Sequence, residues 1–191
     1  MLQPLIDHIR KFVPLTDAEA AVVLSVVTHR VCKKKELLHK SGAPCQERYF
    51  VLTGCLRSYF VSGEEDEEQL LQFAIENWWM SDWGSFGTPQ PSALFIQALE
   101  PATVAVLTAP AMEELLQRVP VLERYFRLVT EKAYYASVMR NHYMLSFSVE
   151  ERYRHFRDAF PEFLQRVPQY MLASYLGFTP EFLSRMRARG V

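Results

Sequence analysis

The sequence of 191 residues is most informative at first for what it does not contain. No run of about eighteen apolar residues occurs anywhere, so a membrane-spanning helix is not expected. The start, Met1 to Phe12, is amphipathic rather than basic and then apolar, so no export signal is read there, and a soluble cytoplasmic protein is expected. Three cysteines, Cys32, Cys45 and Cys55, form neither a C-x-x-C pair nor a Cys/His cluster, which argues against a disulfide framework and a zinc or iron-sulfur site. Five histidines contain no H-x-H pair of the kind a metal-dependent β-barrel enzyme needs, and no Walker, dinucleotide-glycine or Ser/His/Asp pattern is present. No catalytic residue, metal or cofactor is assigned. A net charge of −1 excludes a wholesale polyanion binder, so any basic patch must be local.

What is present is ordered by period. Leu2, Leu5, Ile6, Ile9 and Phe12 recur at helical spacing, and Thr16-Asp17-Ala18-Glu19 is a capping box ahead of a second helix. From about Arg30 to Thr108 the pattern changes to short strands broken by glycine and proline, which predicts a β-sandwich or β-barrel. Gly54, in "VLTGCLRSYF", sits between two of these runs at a tight turn. The acidic run Glu64 to Glu68 is read as a solvated hairpin tip without chemistry.

Helix returns at Ala111, and Val121 to about Phe147 carries neither glycine nor proline. Leu122, Phe126, Val129, Ala133, Ala136, Arg140, Tyr143 and Phe147 recur about every 3.5 residues, the seam of a helix lying along another helix or covering the β region. Arg140 on that seam must pair or snorkel.

The last stretch, "LASYLGFTPEFLSRMRARGV", is specified from both sides of a turn. Gly177 can take the left-handed conformation that ends a helix, Thr179 can cap the next one, and Pro180 fits its first position. Leu172, Leu176, Leu183 and Met186 are spaced to pin the two helices together, which makes a helix-turn-helix. Its outward face offers Thr179, Glu181, Ser184 and Arg185, with Arg187 and Arg189 beyond: an arginine suits a guanine edge, a glutamate a cytosine amino group, and the hydroxyls phosphate oxygens. From Leu164 onward four arginines stand against the single acid Glu181. The plainer alternative is a helical hairpin closing the β domain with its arginines solvated.

Taken in this order, helical lead, a β-roll holding "YFVLTGCLRSYF", a long helix and "LASYLGFTPEFLSR", the chain resembles the catabolite activator and fumarate-nitrate regulator (Crp/Fnr) family over nearly its whole length. The resemblance implies an α+β fold: N-terminal helices, a double-stranded β-helix (jelly-roll, cyclic-nucleotide-binding-like) domain, a long dimerisation helix and a C-terminal helix-turn-helix. It places the sensor at residues 1–120, the dimerisation helix at 121–147 and the DNA-binding region at 148–191. The partners it implies are a palindromic DNA site, a second copy of the chain, a small-molecule effector of unknown identity and RNA polymerase, with no membrane. An effector-binding or protein-interaction module of the same fold without specific DNA binding is the alternative.

Two departures from the family follow. In cyclic AMP-binding members a Gly-Glu pair is followed by Arg and Ser/Thr; here Asp82 falls near the glutamate and Ser92 near the hydroxyl, but Pro91 stands where the arginine would be, and no positive charge is expected to replace it nearby. Since an anionic phosphate without a cation is costly to bury, cyclic AMP is not expected as a tight ligand. Trp79, Trp83 and Phe86, with Asp82 and Ser92, are the candidates for an effector pocket, the aromatic cluster as core being the alternative. The second departure is that no β-hairpin wing is evident after Met186.

Overall fold

The computed structural model describes residues 1–62 and 67–188. Helices α1 (Gln3–Arg10) and α2 (Asp17–Val26) precede the strands β1 (Thr28–Cys32), β2 (Leu37–His39), β3 (Glu47–Thr53), β4 (Leu56–Ser62), β5 (Glu67–Ala74), β6 (Trp79–Met80), β7 (Phe95–Ala98) and β8 (Ala102–Thr108). The capping box starts α2 as its sequence requires, with the Thr16 hydroxyl accepting from Glu19 N–H and the Glu19 carboxylate accepting from Thr16 N–H. Then come α3 (Ala109–Arg118), α4 (Val121–Ser146), α5 (Val149–Ala159), α6 (Phe163–Arg166), α7 (Gln169–Leu176) and α8 (Pro180–Ala188). The chain divides into two compact units, Met1–Thr130 and Glu131–Val191, and the division falls within α4.

In the first unit the strands form two antiparallel four-stranded sheets, ordered β1-β8-β3-β6 and β2-β7-β4-β5, as a jelly roll. Alternation along β3 shows how the core is split. Tyr49 and Val51 point into the sandwich with Leu56, Met80, Ile96 and Val104, while Phe50 and Leu52 join a second core made with α1, α2, α3 and the first turns of α4. Gly54 turns β3 into β4 at φ +93°, and a Cβ there would lie 2.6 Å from the Cβ of Ala102. Both the conformation and the close approach therefore require glycine.

The second core carries a polar chain through its centre. Trp79 Nε1–H donates to the Tyr125 hydroxyl at 2.8 Å, and that hydroxyl lies 2.8 Å from His8 Nδ1. Because the hydroxyl already accepts from Trp79, its own proton is free to go to His8. Burial pushes the Tyr125 phenol well above the usual tyrosine range, so it stays a donor.

In the second unit α5 begins with a further capping box, Ser148 and Glu151, and buries Tyr153 and Phe156, the Phe156 ring lying 5.9 Å from Phe163 and 5.7 Å from Tyr175 of α7. Among the described residues no helix is long and apolar enough to cross a membrane.

Candidate functional site

The turn between α7 and α8 follows from its residues one at a time. Gly177 adopts φ +75°, its N–H donates to the Ser174 carbonyl at 3.2 Å, and Phe178 N–H donates to the Ala173 carbonyl at 3.0 Å, which together close the helix end. Thr179 Oγ1 accepts from Phe182 N–H at 3.3 Å and opens the next helix. Leu172, Ala173, Leu176, Leu183 and Met186 are buried, with Leu183 fully so. The opposite face of α8 is left to solvent: Thr179, Glu181, Ser184 and Arg185 are all exposed.

Two contacts tune that face. The backbone N–H of Glu181, the Thr179 hydroxyl and the Arg185 charge hold the Glu181 carboxyl below the usual carboxylate range, so it is an acceptor at neutral pH. The Arg185 guanidinium lies 5.6 Å from the Phe182 ring, and the residue is exposed. Arg187 falls on α8, but its side chain, like Arg189 as a whole, lies outside the described residues.

The seam arginine does pair. Arg140 Nη2 donates to the Tyr175 carbonyl at 2.9 Å, and its guanidinium stacks on the Tyr175 ring at 4.2 Å. That places a cation on the last turn of α7, where the helix dipole and unpaired carbonyls favour one. Arg152 Nη1 reaches the Met144 carbonyl at 3.3 Å, and a Cβ on Gly177 would meet the Met144 methyl at 2.6 Å. The second unit thus ties its part of α4 to the turn by point contacts that no sequence period announces.

The five effector-pocket candidates in the first unit do not form one lining. Trp79 and Phe86 pack against the core shared with the helices, on the side of the sheet away from the sandwich interior. Asp82 serves a turn, its Oδ1 accepting from Gly84 N–H at 2.9 Å. Ser92 is buried, and its Oγ accepts from Leu94 N–H at 2.9 Å. Trp83 alone of the five is substantially exposed, at 40%. The alternation of β6 explains the division, since Trp79 and Met80 are neighbours on opposite faces.

Two sequence readings need correction. The loop does have a cation, Arg48 from β3, whose guanidinium lies 4.4 Å from the Trp83 ring and 4.1 Å from the Phe86 ring. Pro91 itself bridges Pro44. The acidic run is not idle throughout either: its residues 64–66 lie outside the described residues, but Glu68 on β5 makes a two-pronged ion pair with buried Arg57, with Nη2–Oε1 at 3.0 Å. The first pairing joins a strand to a loop and the second joins two neighbouring strands, and the order of residues along the chain reveals neither.

Residues 29–119 match the Cyclic nucleotide-binding domain family. The Anaerobic regulatory protein of Pasteurella multocida is 26% identical over 168 residues, covering 82% of this chain and 60% of that protein. The chain therefore spans about three-fifths of the length of that curated relative. Among solved structures, FixK2 from Bradyrhizobium japonicum matches with a TM-score of 0.70 at 18% identity, covering 85% of this chain and 83% of that one. The c-di-GMP responsive global regulator CLP of Xanthomonas campestris matches at 0.71 and 16% identity, covering 91% of each chain. Those identities speak for fold, and the fold is the regulators' jelly roll, long helix and helical C-terminal part. Residues 29–119 are thus similar to cyclic nucleotide-binding domains, and the chain has the fold of the Crp/Fnr-type regulators it resembles.

Proposed function

We propose that the chain is a DNA-binding transcriptional regulator that acts as a cytoplasmic homodimer, is not an enzyme, and senses a small effector other than cyclic AMP at its roll. The observation that carries the DNA-reading part is the turn at Gly177 to Thr179: it buries Leu183 and Met186 while leaving Thr179, Glu181, Ser184 and Arg185 outward on one face. In a helix-turn-helix that face enters the major groove, where Arg185 addresses a guanine, Glu181 a cytosine amino group, and Thr179 and Ser184 phosphates. Arg187 and Arg189 extend the same basic end.

Dimerisation is supported by α4, on which every residue from Glu131 to Val138 is exposed, Tyr134 and Tyr135 by 71% and 65%. A long helix draws most of its stability from a covered apolar stripe, and a second α4 supplies one. A symmetric pair of reading helices then calls for a palindromic site, and RNA polymerase is the machinery such a dimer would address.

The reading against cyclic AMP is supported at the loop. Pro91 offers no charge, the Ser92 hydroxyl is already engaged, and the Asp82 carboxylate is spent on its turn. A calorimetric titration should give no cyclic AMP constant at micromolar or below. For DNA, a genome-wide selection followed by mobility shift should yield a palindromic site whose binding falls steeply with salt.

A further inference from the structure

We propose that Arg48, clamped between Trp83 and Phe86, is the recognition group of a site for a small oxyanion, a carboxylate or a phosphoryl group. The proposal names the ligand chemistry of the roll's sensing loop and so rests on the sensing part of the function proposed above. Four other arginines of the first unit have acids: Arg10 pairs with Asp17, Arg30 with Glu36, Arg57 with Glu68 and Arg118 with Glu114. Arg48 has none among the described residues. Its Nε is buried without a hydrogen-bond partner.

The surroundings make this an open fork rather than a neutralised one. With one ring at 4.4 Å and the other at 4.1 Å, two aromatic faces hold the guanidinium. Stacking of that kind holds the group in place while its donors stay in the guanidinium plane, where a carboxylate or phosphoryl group is bound through two parallel bonds. Burial pulls the Arg48 guanidinium down to about 10, the direction expected of a cation desolvated without a counter-charge. An oxyanion supplies that charge and the missing acceptors together. Trp83, the outer ring of the clamp, is exposed enough to admit one.

The site is not inside the sandwich. Arg48 shares a face of β3 with Phe50 and Leu52, which face the helices, whereas Tyr49 and Val51 face the interior. Its ligand would therefore press on the 81–90 loop, and on the core that holds Phe86, Trp79 and Tyr125, from the helix side.

The test titrates the full chain with inorganic phosphate and, separately, with benzoate, at constant ionic strength set with potassium chloride, following calorimetry and tryptophan fluorescence. At least one probe should bind saturably at one site per chain and change the emission, and which one does distinguishes a phosphoryl from a carboxylate ligand. Arg48→Gln should weaken binding at least tenfold, and Trp83→Leu, at an exposed position, should weaken it with the fold intact by circular dichroism. Absence of saturable binding of both probes to the natural chain overturns the proposal, as does equal affinity in Arg48→Gln or in Trp83→Leu. Oxyanion binding without specific DNA binding would leave this site standing and remove the regulator reading, and the reverse result would do the opposite.

Discussion

The two units hold themselves together by different means. In the first, β3 is buried on both faces, so that Tyr49 and Val51 serve one core and Phe50 and Leu52 another, and little of the strand is left to act on anything else. In the second, the helices have narrow apolar faces, and the geometry is set by caps and single contacts: Ser148 with Glu151, Gly177 with Ala173 and Ser174, Arg140 with Tyr175. A double core makes a rigid platform whose working residues sit at its margin, where Arg48 near the start of β3 meets the 81–90 loop. A capped helical pair leaves one whole helix face free to touch a partner. The proposed roles follow the same line, sensing at the loop and reading on α8.

That contrast can be broken most forcefully in the roll. Phe50→Ala removes a fully buried ring from the helix-facing core and should cost about 3–5 kcal/mol, measured by urea unfolding of the full chain. Leu183→Ala, also fully buried, should cost about 2–4 kcal/mol, and in a differential scan the loss should fall on the second unit's transition while the roll's is kept. A single shifted transition for the whole chain would contradict the contrast. Gly177→Ala places a side chain at φ +75° and should cost about 1–2 kcal/mol by the same unfolding measurement, with the Met144 methyl free to move aside.

The smallest effect expected is a pH dependence of the caps. The Thr16 and Ser148 groups hold the Glu19 and Glu151 carboxyls below their ordinary value, so the folded state binds protons less readily than the unfolded one. The contribution is fully present above the unfolded glutamate range near pH ~4.3 and is lost as pH falls through the lower folded values. Helical circular dichroism should therefore hold steady from pH 7 to 5 and begin to fall below about pH 4. Glu151→Gln should remove part of that fall.

How far the sequence could be read follows the same division. The capping box at Thr16, the turn at Gly54 and the pair of helices about Gly177 were legible because each rests on residues three or four apart, where the chemistry and the geometry share one stretch of chain. The pinning of α8 by Leu183 and Met186 was legible for the same reason. Arg48 was missed because its rings come from the loop at 81–90, and strand register decides that they meet. The pairing of Arg57 with Glu68 depends likewise on β4 lying against β5, and the hold of Arg140 on Tyr175 on how two helices cross. Trp79 was read among the pocket aromatics, yet one step of the β6 pleat turns it to the helix-facing core instead.

The central claim, that the second unit reads DNA through the outward face of α8, is met most directly by one measurement: mobility shift of the natural chain and of Arg185→Ala on a selected palindromic site and on random DNA, across a salt series. The account predicts a specific complex whose affinity falls steeply with salt, with Arg185→Ala losing about 1–3 kcal/mol of discrimination while its weak binding to random DNA is nearly kept. A natural chain that binds both sequences equally, with Arg185→Ala indistinguishable from it, would contradict the claim.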